Sequence, residues 1–281
     1  MDMDKKVKSI VRPAWLLVRP YWKRTARFRH QARIRLISLL GLHGRKQPLF
    51  VLARQRTGSN LLLDYLNSIP QISMAHEFLN PEFYYGFRPK SGTKEDLFRH
   101  IERSLNALPG EISGCKILIG QFDLHGITLE DLHNLFPEAK FLVLYRRSIL
   151  KQFVSLKIAR TTKQYLANDP TSVRTTNVTI TLDELEEFYQ LNNAEYQSVL
   201  KYPWMREKGR LIVYEDLAVA PQETFDNVVF PFLNIPRSKI QTSLVKQGKR
   251  PVEEVVENYA SIKDHLDKYL MYDPQNYFDF S

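Results

Sequence analysis

Phe50-Val-Leu-Ala-Arg-Gln-Arg-Thr-Gly-Ser-Asn60-Leu-Leu-Leu is the stretch that decides the fold. It begins inside an apolar run, 48–53, which predicts a buried strand. A polar turn with one glycine follows, and leucines at helical spacing then predict a helix over 59–68. Backbone N–H groups and the positive end of the dipole lie at a helix N-terminus, with Arg56 beside them here. The strand, turn and helix therefore predict a phosphate site.

The turn differs from the loop that binds nucleoside triphosphates. That loop requires Gly-x-x-x-x-Gly-Lys-Ser/Thr, whereas here Ala53 occupies the position of the first glycine and Ser59 that of the lysine. The turn therefore favours a phosphorylated ligand that needs neither a loop lysine nor magnesium. Polar turns also join strands to helices in many α/β proteins, so a purely structural role stays open for the turn alone.

A second group of residues follows the strand predicted over 139–145. Arg146 and Arg147 stand at its carboxyl end, and Ser155 lies eight positions after Arg147 in a helix predicted over 149–160. An arginine at a strand end and a hydroxyl in the next helix can both face one phosphate, through charge-assisted and neutral hydrogen bonds. The alternative is ordinary: a surface arginine and a small serine that packs against the sheet.

Together these two elements resemble the sulfotransferases that use 3′-phosphoadenosine 5′-phosphosulfate (PAPS). In that family a loop of the form Pro-Lys/Arg-Ser/Thr-Gly-Ser/Thr-Thr/Asn holds the 5′-phosphosulfate. The matching residues of this chain are Gln55, Arg56, Thr57, Gly58, Ser59 and Asn60. The family also binds the 3′-phosphate with an arginine and a serine eight residues later, which Arg147 and Ser155 match. The run 145–155 looks especially like the bacterial branch that includes trehalose and nodulation-factor sulfotransferases.

A third match is the run 211–217, which contains Tyr-Glu-Asp and precedes an apolar helix predicted over 221–233. The resemblance implies that Tyr214 lies beside the adenine, and it covers roughly residues 48 to 270. There are departures from the family pattern. Gln55 replaces a proline that would preset the loop backbone, and Ser148-Ile149 replaces Asn-Pro or Asp. The downstream Arg-Lys-Gly clamp has only 247–250 as a counterpart.

Sulfuryl transfer to a hydroxyl needs a base, and the resemblance implies one in the run 73–81. Glu77 matches the glutamate that acts as general base in the trehalose-type branch. His76 is the alternative, because its ordinary pKa lies nearer neutrality. A third possibility is that both residues merely cap a turn. Lys116 and His125 are further candidates, for contact with the sulfonate and for the pocket wall.

The resemblance implies direct in-line transfer from PAPS to a hydroxyl of a carbohydrate or glycolipid acceptor, without a metal. Two other classes of function stay open. One is a P-loop-like nucleotide-dependent kinase. The other is a non-enzymatic protein that binds a membrane or nucleic acid through its basic N-terminal segment.

Alternating strands and helices predict an α/β fold: a doubly wound, mostly parallel sheet with ligands at the carboxyl ends of its strands. Further strands are predicted over 114–119, 139–146 and 210–215. Further helices are predicted over 93–107, 128–136 and from a capping box at Thr181 to about residue 200. The stretch 161–180 predicts a long loop, which is typically a lid, a binding loop or disorder.

The composition agrees with a single enzyme domain over 48–281. The one cysteine, Cys115, excludes an intrachain disulfide and a zinc cluster, and its apolar surroundings predict a buried structural residue. No apolar run has the length of a membrane span, and no secretory signal is recognised before residue 50. A cytoplasmic location is expected. The sequence does not indicate an oligomeric state.

The net charge of +9 is concentrated in residues 1–47, the basic arm. The arm has 13 Lys and Arg against Asp2 and Asp4, a net charge of +11, which leaves −2 for the rest. Residues 20–40 predict a basic amphipathic helix. The helix fits an anionic membrane on the inner face, nucleic acid, or simple docking on the body. Because no base-reading motif accompanies it, nucleic acid is not an expected partner.

Overall fold

The computed structural model describes residues 46–81, 86–87, 92–165, 173–244 and 250–275. Within these ranges five parallel strands form one sheet in the order β2-β3-β1-β4-β5. The strands are β1 Gln47–Ala53, β2 Ile72–Ala75, β3 Ile112–Leu118, β4 Lys140–Tyr145 and β5 Gly209–Val213. The predicted α/β fold with a parallel sheet is confirmed.

Helices alternate with the strands along the chain. The longer ones are α1 Ser59–Asn67, α2 Lys94–Ala107, α4 Leu129–Leu135, α5 Ile149–Thr162 and α6 Leu182–Leu200. Short helices are α3 Gln121–Leu124, α7 Met205–Lys208, α8 Tyr214–Val219, α9 Pro221–Thr224, α10 Phe230–Leu233, α11 Val252–Val255 and α12 Tyr259–Ile262. A π-helical turn, Phe225–Val229, joins α9 to α10, and two 3₁₀ turns follow α12. Capping boxes at Thr93, Thr128 and Thr181 begin α2, α4 and α6.

The core consists of two apolar layers, one on each face of the sheet. Residues of β1 alternate between them: Phe50 and Leu52 join one layer, while Leu49 and Val51 join the other. The first layer includes apolar side chains of α2, α4, α5 and α6. The second includes those of α1 and of the segment 221–233. Because both faces of every central strand are covered, the strands are almost continuously apolar.

The topology places a crevice at the carboxyl end of β1. β1 is the central strand, and Val51 pairs with Lys116 of β3 on one side and with Leu142 of β4 on the other. β2 and β3 lie to one side of β1, and β4 and β5 to the other. Such a reversal of strand order leaves room for a ligand outside the strand ends. The segments that follow β1, β3, β4 and β5 all start at this edge.

Two details differ from the predicted elements. β5 ends at Val213 and Tyr214 begins α8, because Glu215 and Asp216 occupy its first turn, where carboxylates favour a helix N-terminus. β2 lies at the sheet edge and has four residues, too few for a strand period to stand out. The basic arm up to residue 45 and the loop segment 166–172 lie outside the described residues. Within the described ranges, none of the helices combines the length and apolarity needed to cross a membrane.

Candidate active site

The turn between β1 and α1, residues 54–58, is here named the phosphate loop. Arg56 has φ 65° and Gly58 has φ 86°, so two left-handed residues bend the chain sharply before α1. Gly58 is the N-cap of α1 and offers no capping side chain, and the first turn of α1 contains no acidic residue. Backbone N–H groups in such a loop, together with the positive end of a helix, form a concave site for an anion. The loop therefore has the geometry of a phosphate site.

Tyr214 closes one side of the loop. A Cβ atom on Gly58 would lie 2.3 Å from Cδ2 of Tyr214, so only glycine fits beneath this ring. The guanidinium of Arg146 lies 4.7 Å from the centre of the same ring, within cation–π distance. An aromatic ring, a cation and the phosphate loop thus meet at the ends of β1, β4 and β5.

Side chains of α5, of Arg146 just after β4, and of the loop itself hold the loop in place of the missing proline. The Gln152 amide, fully buried, donates from Nε2 to the carbonyl of Gln55 at 2.9 Å. Arg146 donates from Nη1 to the carbonyl of Arg56 at 3.3 Å. Thr57 donates from Oγ1 to the carbonyl of Arg54 at 2.8 Å. The backbone that proline would preset is fixed here by donors on three sides.

The Arg56 side chain lies against α5 and the segment that follows it. Its Nε donates to Oγ of Ser155 at 3.0 Å, and its Nη1 donates to the carbonyl of Tyr165 at 2.8 Å. Burial and the neighbouring Arg146 both lower the pKa of Arg56. Burial also lowers the pKa of Arg146. Two arginines in close proximity repel each other, and an anion bound between them would relieve that repulsion.

Arg147 and Ser155 contact different residues. Its Nη1 and Nη2 donate to Oδ1 and Oδ2 of Asp216 at 2.8 and 3.0 Å. These bonds raise the pKa of Arg147. Its backbone N–H donates to Glu215 at 3.0 Å. The prediction that Arg147 and Ser155 share a phosphate stays a prediction, because this structure directs Arg147 to Asp216 and Ser155 to Arg56.

A buried chain of polar contacts connects the phosphate loop to Glu77. Lys116 of β3 donates from Nζ to Oδ1 of Asn60, in the first turn of α1, at 2.9 Å. The same Nζ lies 3.0 Å from Oε1 of Glu77, and both side chains are 5% exposed. Asn80 and Gln121 each donate to Oε2 of Glu77 at 2.8 Å. Lys116 therefore lies between the candidate base and the helix that begins the phosphate site.

Burial and the polar contacts around Lys116 and Glu77 determine the charge states of the two candidate bases. Burial alone would raise the pKa of Glu77, but Lys116 and the amides of Asn80 and Gln121 outweigh it and lower that pKa. Burial, and then Lys116, lower the pKa of His76. At neutral pH Glu77 is therefore ionised and His76 neutral, so each is in a state that accepts a proton.

A second ion pair lies behind the loop. Arg54, the first loop residue, is 8% exposed, and its Nε lies 2.8 Å from Oε2 of Glu195 in α6. Its guanidinium also lies 4.8 Å from the ring centre of Phe188 in the same helix. The loop is thus attached to α6 on one side and to α5 on the other.

The remaining candidate residues make contacts of a structural kind. His125 Nε2 lies 2.6 Å from the carbonyl of Leu79. Cys115 is fully buried, and burial raises the pKa of its thiol. Ser148 replaces the family's Asn or Asp and still caps α5, since its Oγ accepts from the Lys151 N–H at 3.2 Å. Residues 247–249 of the downstream clamp lie outside the described ranges. In the part of the chain that is described, no group of His, Cys, Asp and Glu could hold a metal ion.

Among the residues with clear contacts at the site that were not predicted are three with distant partners: Arg146 in this role, Gln152 and Asp216. Each contacts a residue more than 60 positions away in the sequence, so no local pattern indicates it. The doubled arginine at the end of β4 is the one signal that was present.

No protein-family model matches the sequence. Two curated relatives are nodulation protein H of Rhizobium tropici and nodulation protein H of Rhizobium meliloti strain 1021. The first is 25% identical over 232 residues, which cover 78% of this chain and 89% of the relative. The second is 25% identical over 233 residues, which cover 78% and 91%. The alignments confirm the resemblance to sulfotransferases of the nodulation-factor type that the motifs indicate, and with it the expectation of an enzyme.

Two solved structures that align with this chain are sulfotransferases. A sulfotransferase from Alicyclobacillus acidocaldarius has a TM-score of 0.48 and 17% identity, and the match covers 83% of this chain and 99% of that chain. Sulfotransferase STF9 from Mycobacterium avium has a TM-score of 0.46 and 14% identity, with 89% and 79% covered.

Proposed function

We propose that this protein transfers a sulfuryl group from PAPS to a hydroxyl of a carbohydrate or glycolipid acceptor. One observation carries the proposal: polar contacts connect the candidate base to the first turn of α1, the helix that begins at the end of the phosphate loop. Asn60 contacts Lys116, which contacts Glu77, and Arg56 in the loop contacts Ser155. A transferase needs this proximity, because the group it moves must lie between donor and acceptor.

The site fits the donor in charge. Burial and the nearby Arg146 lower the pKa of Arg56, and burial lowers that of Arg146, so a polyanionic nucleotide would stabilise the charged forms of both. Because the glycine of the phosphate loop has no Cβ, the Tyr214 ring packs directly against the loop. The role of Tyr214 beside the adenine is carried over from the family motif. The roles of Arg147 and Ser155 toward the 3′-phosphate are carried over from the family motif.

The donor supplies a sulfuryl group attached to a phosphate that can leave. Glu77 takes the proton of the acceptor hydroxyl as the hydroxyl oxygen forms a bond to sulfur. The bond from sulfur to the phosphate oxygen breaks in the same step. Arg56 and the N–H groups at the start of α1 stabilise the negative charge that collects on the departing phosphate. Charge stabilisation by fixed donors of this kind requires no metal. His76 is the alternative base, since it is neutral beside Glu77.

The acceptor class is supported by the similarity to nodulation protein H, which spans most of both chains. The acceptor would lie on the Glu77 side of the loop. There the ring of Phe87 lies 6.4 Å from that of His125. A sugar hydroxyl is a weak acid, so a positioned base is required for its attack on sulfur.

Calorimetric titration with adenosine 3′,5′-bisphosphate (PAP), the spent donor, tests the nucleotide half of the proposal. We expect PAP to bind without metal and more tightly than ATP with magnesium. Arg56→Ala should weaken PAP binding, whereas Arg103→Ala, an equal loss of charge on an exposed position of α2, should not. Binding of ATP with magnesium alone would favour the kinase alternative and contradict the proposal.

Turnover tests the acceptor half. Protein incubated with labelled PAPS and a panel of sugars and glycolipids should transfer label to at least one hydroxyl compound. Transfer to none of them, by protein that binds PAP, would contradict the proposed acceptor class while leaving the donor assignment intact.

A further inference from the structure

Arg147 is held by a carboxylate. Asp216 accepts from both terminal nitrogens of the guanidinium, at 2.8 and 3.0 Å, in a bidentate ion pair. In such a pair both terminal nitrogens of the arginine donate to the same carboxylate. Under the proposed function, on which this inference rests, the same guanidinium is needed for the 3′-phosphate.

The two acidic residues of the Tyr-Glu-Asp run have different partners. Glu215 accepts backbone N–H groups of Arg147 and Ser148, at 3.0 and 3.3 Å, and so anchors the start of α5. Asp216 contacts the Arg147 side chain instead. Its own side chain is 51% exposed, so it can turn into water when released. An ion pair this exposed is weak and can be exchanged for a stronger partner.

We propose that Asp216 competes with the 3′-phosphate for Arg147 and thereby sets both the affinity for 3′-phosphorylated nucleotides and the rate at which they leave. The phosphate displaces the carboxylate as the nucleotide enters. As the nucleotide leaves, the carboxylate returns to the guanidinium. Asp216 is a positioning residue, since it acts through Arg147 and not on the nucleotide itself.

Electrostatics determine the direction of the effect. A 3′-phosphate carries up to two negative charges, and a carboxylate beside the same arginine repels it in addition to competing for its donors. Removing the charge of Asp216 should therefore strengthen the hold on a 3′-phosphate. A nucleotide without that phosphate should be unaffected. Asp216 thus reduces selectivity for the 3′-phosphate in exchange for faster release.

The test compares wild-type protein with Asp216→Asn by calorimetry, using PAP and adenosine 5′-monophosphate (AMP). We expect Asp216→Asn to bind PAP about five- to tenfold more tightly and to bind AMP with unchanged affinity. Stopped-flow dissociation of PAP should slow by a similar factor. Glu207→Gln removes an equal charge from an 80% exposed residue of α7 and should leave both affinities unchanged.

A double-mutant cycle separates competition at Arg147 from a general change of charge. In an Arg147→Gln background, adding Asp216→Asn should tighten PAP binding much less, because the competition is gone and only the direct repulsion remains. Weaker or unchanged PAP binding by Asp216→Asn would overturn the inference alone, as would equal tightening of PAP and AMP. Failure of folded wild-type protein to bind PAP at all would overturn the proposed function and this inference with it.

Discussion

Glu77, which is buried, and Glu195, which is partly buried, each lie beside a cation, yet their pKa values move in opposite directions. Burial raises the pKa of each, and the cation lowers it. Glu77 also accepts hydrogen bonds from Asn80 and Gln121, and with these the stabilising contacts outweigh burial. Glu195 has Arg54 alone among the groups that lower its pKa, so burial prevails. The ionised state is therefore well stabilised at Glu77 and poorly stabilised at Glu195.

Replacing Glu77 with Gln should separate chemistry from nucleotide binding. We expect turnover to fall by about 10²- to 10⁴-fold, the usual contribution of a general base, while PAP affinity stays the same. Assays of kcat and calorimetry with PAP measure the two quantities. If Glu77→Gln turned over normally, Glu77 would not be the base, and His76 would be tested next.

The same variant should lose stability, because Lys116 remains buried without its carboxylate. The cost is expected to be about 3–5 kcal/mol at neutral pH. The pKa of Glu77 is lowered in the folded state, so this contribution is present above its ordinary value of 4.5 and is lost as pH falls through the folded value. Urea unfolding at several pH values measures it. Adding Lys116→Met should restore stability without restoring turnover.

At the scale of single residues, the sequence predicted the side chains that lie in local motifs. Gly58 and Tyr214 lie in contact at one edge of the sheet, with Arg146 over the same ring. The roles of Arg56, Gly58 and Tyr214 toward the nucleotide stay predictions. Asp216 and Gln152 were not predicted, because their contacts depend on how α8 and α5 pack against the loop. Sequence spacing contains no information on such packing until the fold is known. The roles assigned to Glu77 and Ser155 stay predictions.

At the scale of elements, the sharp junction of β1 and α1 depends on Gly58. Its φ of 86° disfavours any side chain, and Tyr214 occupies the space where a Cβ would be. We expect Gly58→Ala to displace Tyr214, to destabilise the protein by about 2–4 kcal/mol and to abolish PAP binding. Thermal unfolding and calorimetry with PAP measure these effects.

Gly126 provides a matched control for this prediction. It also has a positive φ, of 60°, but a Cβ there would meet no atom within 4 Å. Gly126→Ala should therefore cost only the backbone strain, about 1–2 kcal/mol, and leave PAP binding intact. Adding Tyr214→Ala to Gly58→Ala should recover part of the stability but no binding. Equal effects of the two glycine substitutions would contradict the importance of the contact with Tyr214.

Helices and strands were predictable where capping and periodicity agreed. Thr93, Thr128 and Thr181 predicted helix starts that the structure confirms. β2 was not assigned, since a four-residue edge strand has too little periodicity to be seen. Tyr214 was placed at the end of a strand because its apolar neighbours continue the strand pattern, whereas the two carboxylates after it favour a helix start.

At the scale of the whole molecule, the pair Arg54–Glu195 connects the phosphate loop to α6. Burial lowers the pKa of Arg54 and raises that of Glu195, so the ionised pair gains little stability from its contact. We expect Arg54→Met or Glu195→Leu alone to cost about 3–5 kcal/mol, since each leaves a buried charge unpaired. The double substitution should be at least as stable as the wild type, yet turn over more slowly because the loop is no longer anchored.

Urea unfolding and turnover assays of the wild type, the two single variants and the double variant measure these effects on stability and activity. The pKa of Glu195 is raised in the folded state, so the stability it contributes is fully present below pH 4.5 and declines as pH rises through the folded value. The double variant should lack this decline. If the double variant were as unstable as either single one, the pair would be a source of stability and not a device to position the loop.

The distribution of charge over the chain predicts an interaction with anionic membranes. The basic arm, 1–47, has a net charge of +11, while the remainder has −2. Each Lys or Arg near an anionic surface contributes about 1 kcal/mol, so a few contacts suffice for association. The full chain should sediment with vesicles that contain anionic lipid and not with neutral ones. Association should weaken as salt is added, because the attraction is screened.

The position of the charge, and not only its amount, determines this association. Replacing Arg24, Arg27, Arg29 and Arg33 with Gln removes four charges from the predicted amphipathic segment 20–40 and should release the protein from anionic vesicles. Removing four charges from exposed positions of the body should leave sedimentation unchanged. Those control positions are Arg103, Lys201, Lys239 and Lys263. Equal recovery in the supernatant with both kinds of vesicle would exclude membrane association of the arm. Turnover measured with a soluble acceptor should be the same for both charge variants, since the residues proposed to hold the nucleotide all lie after residue 53.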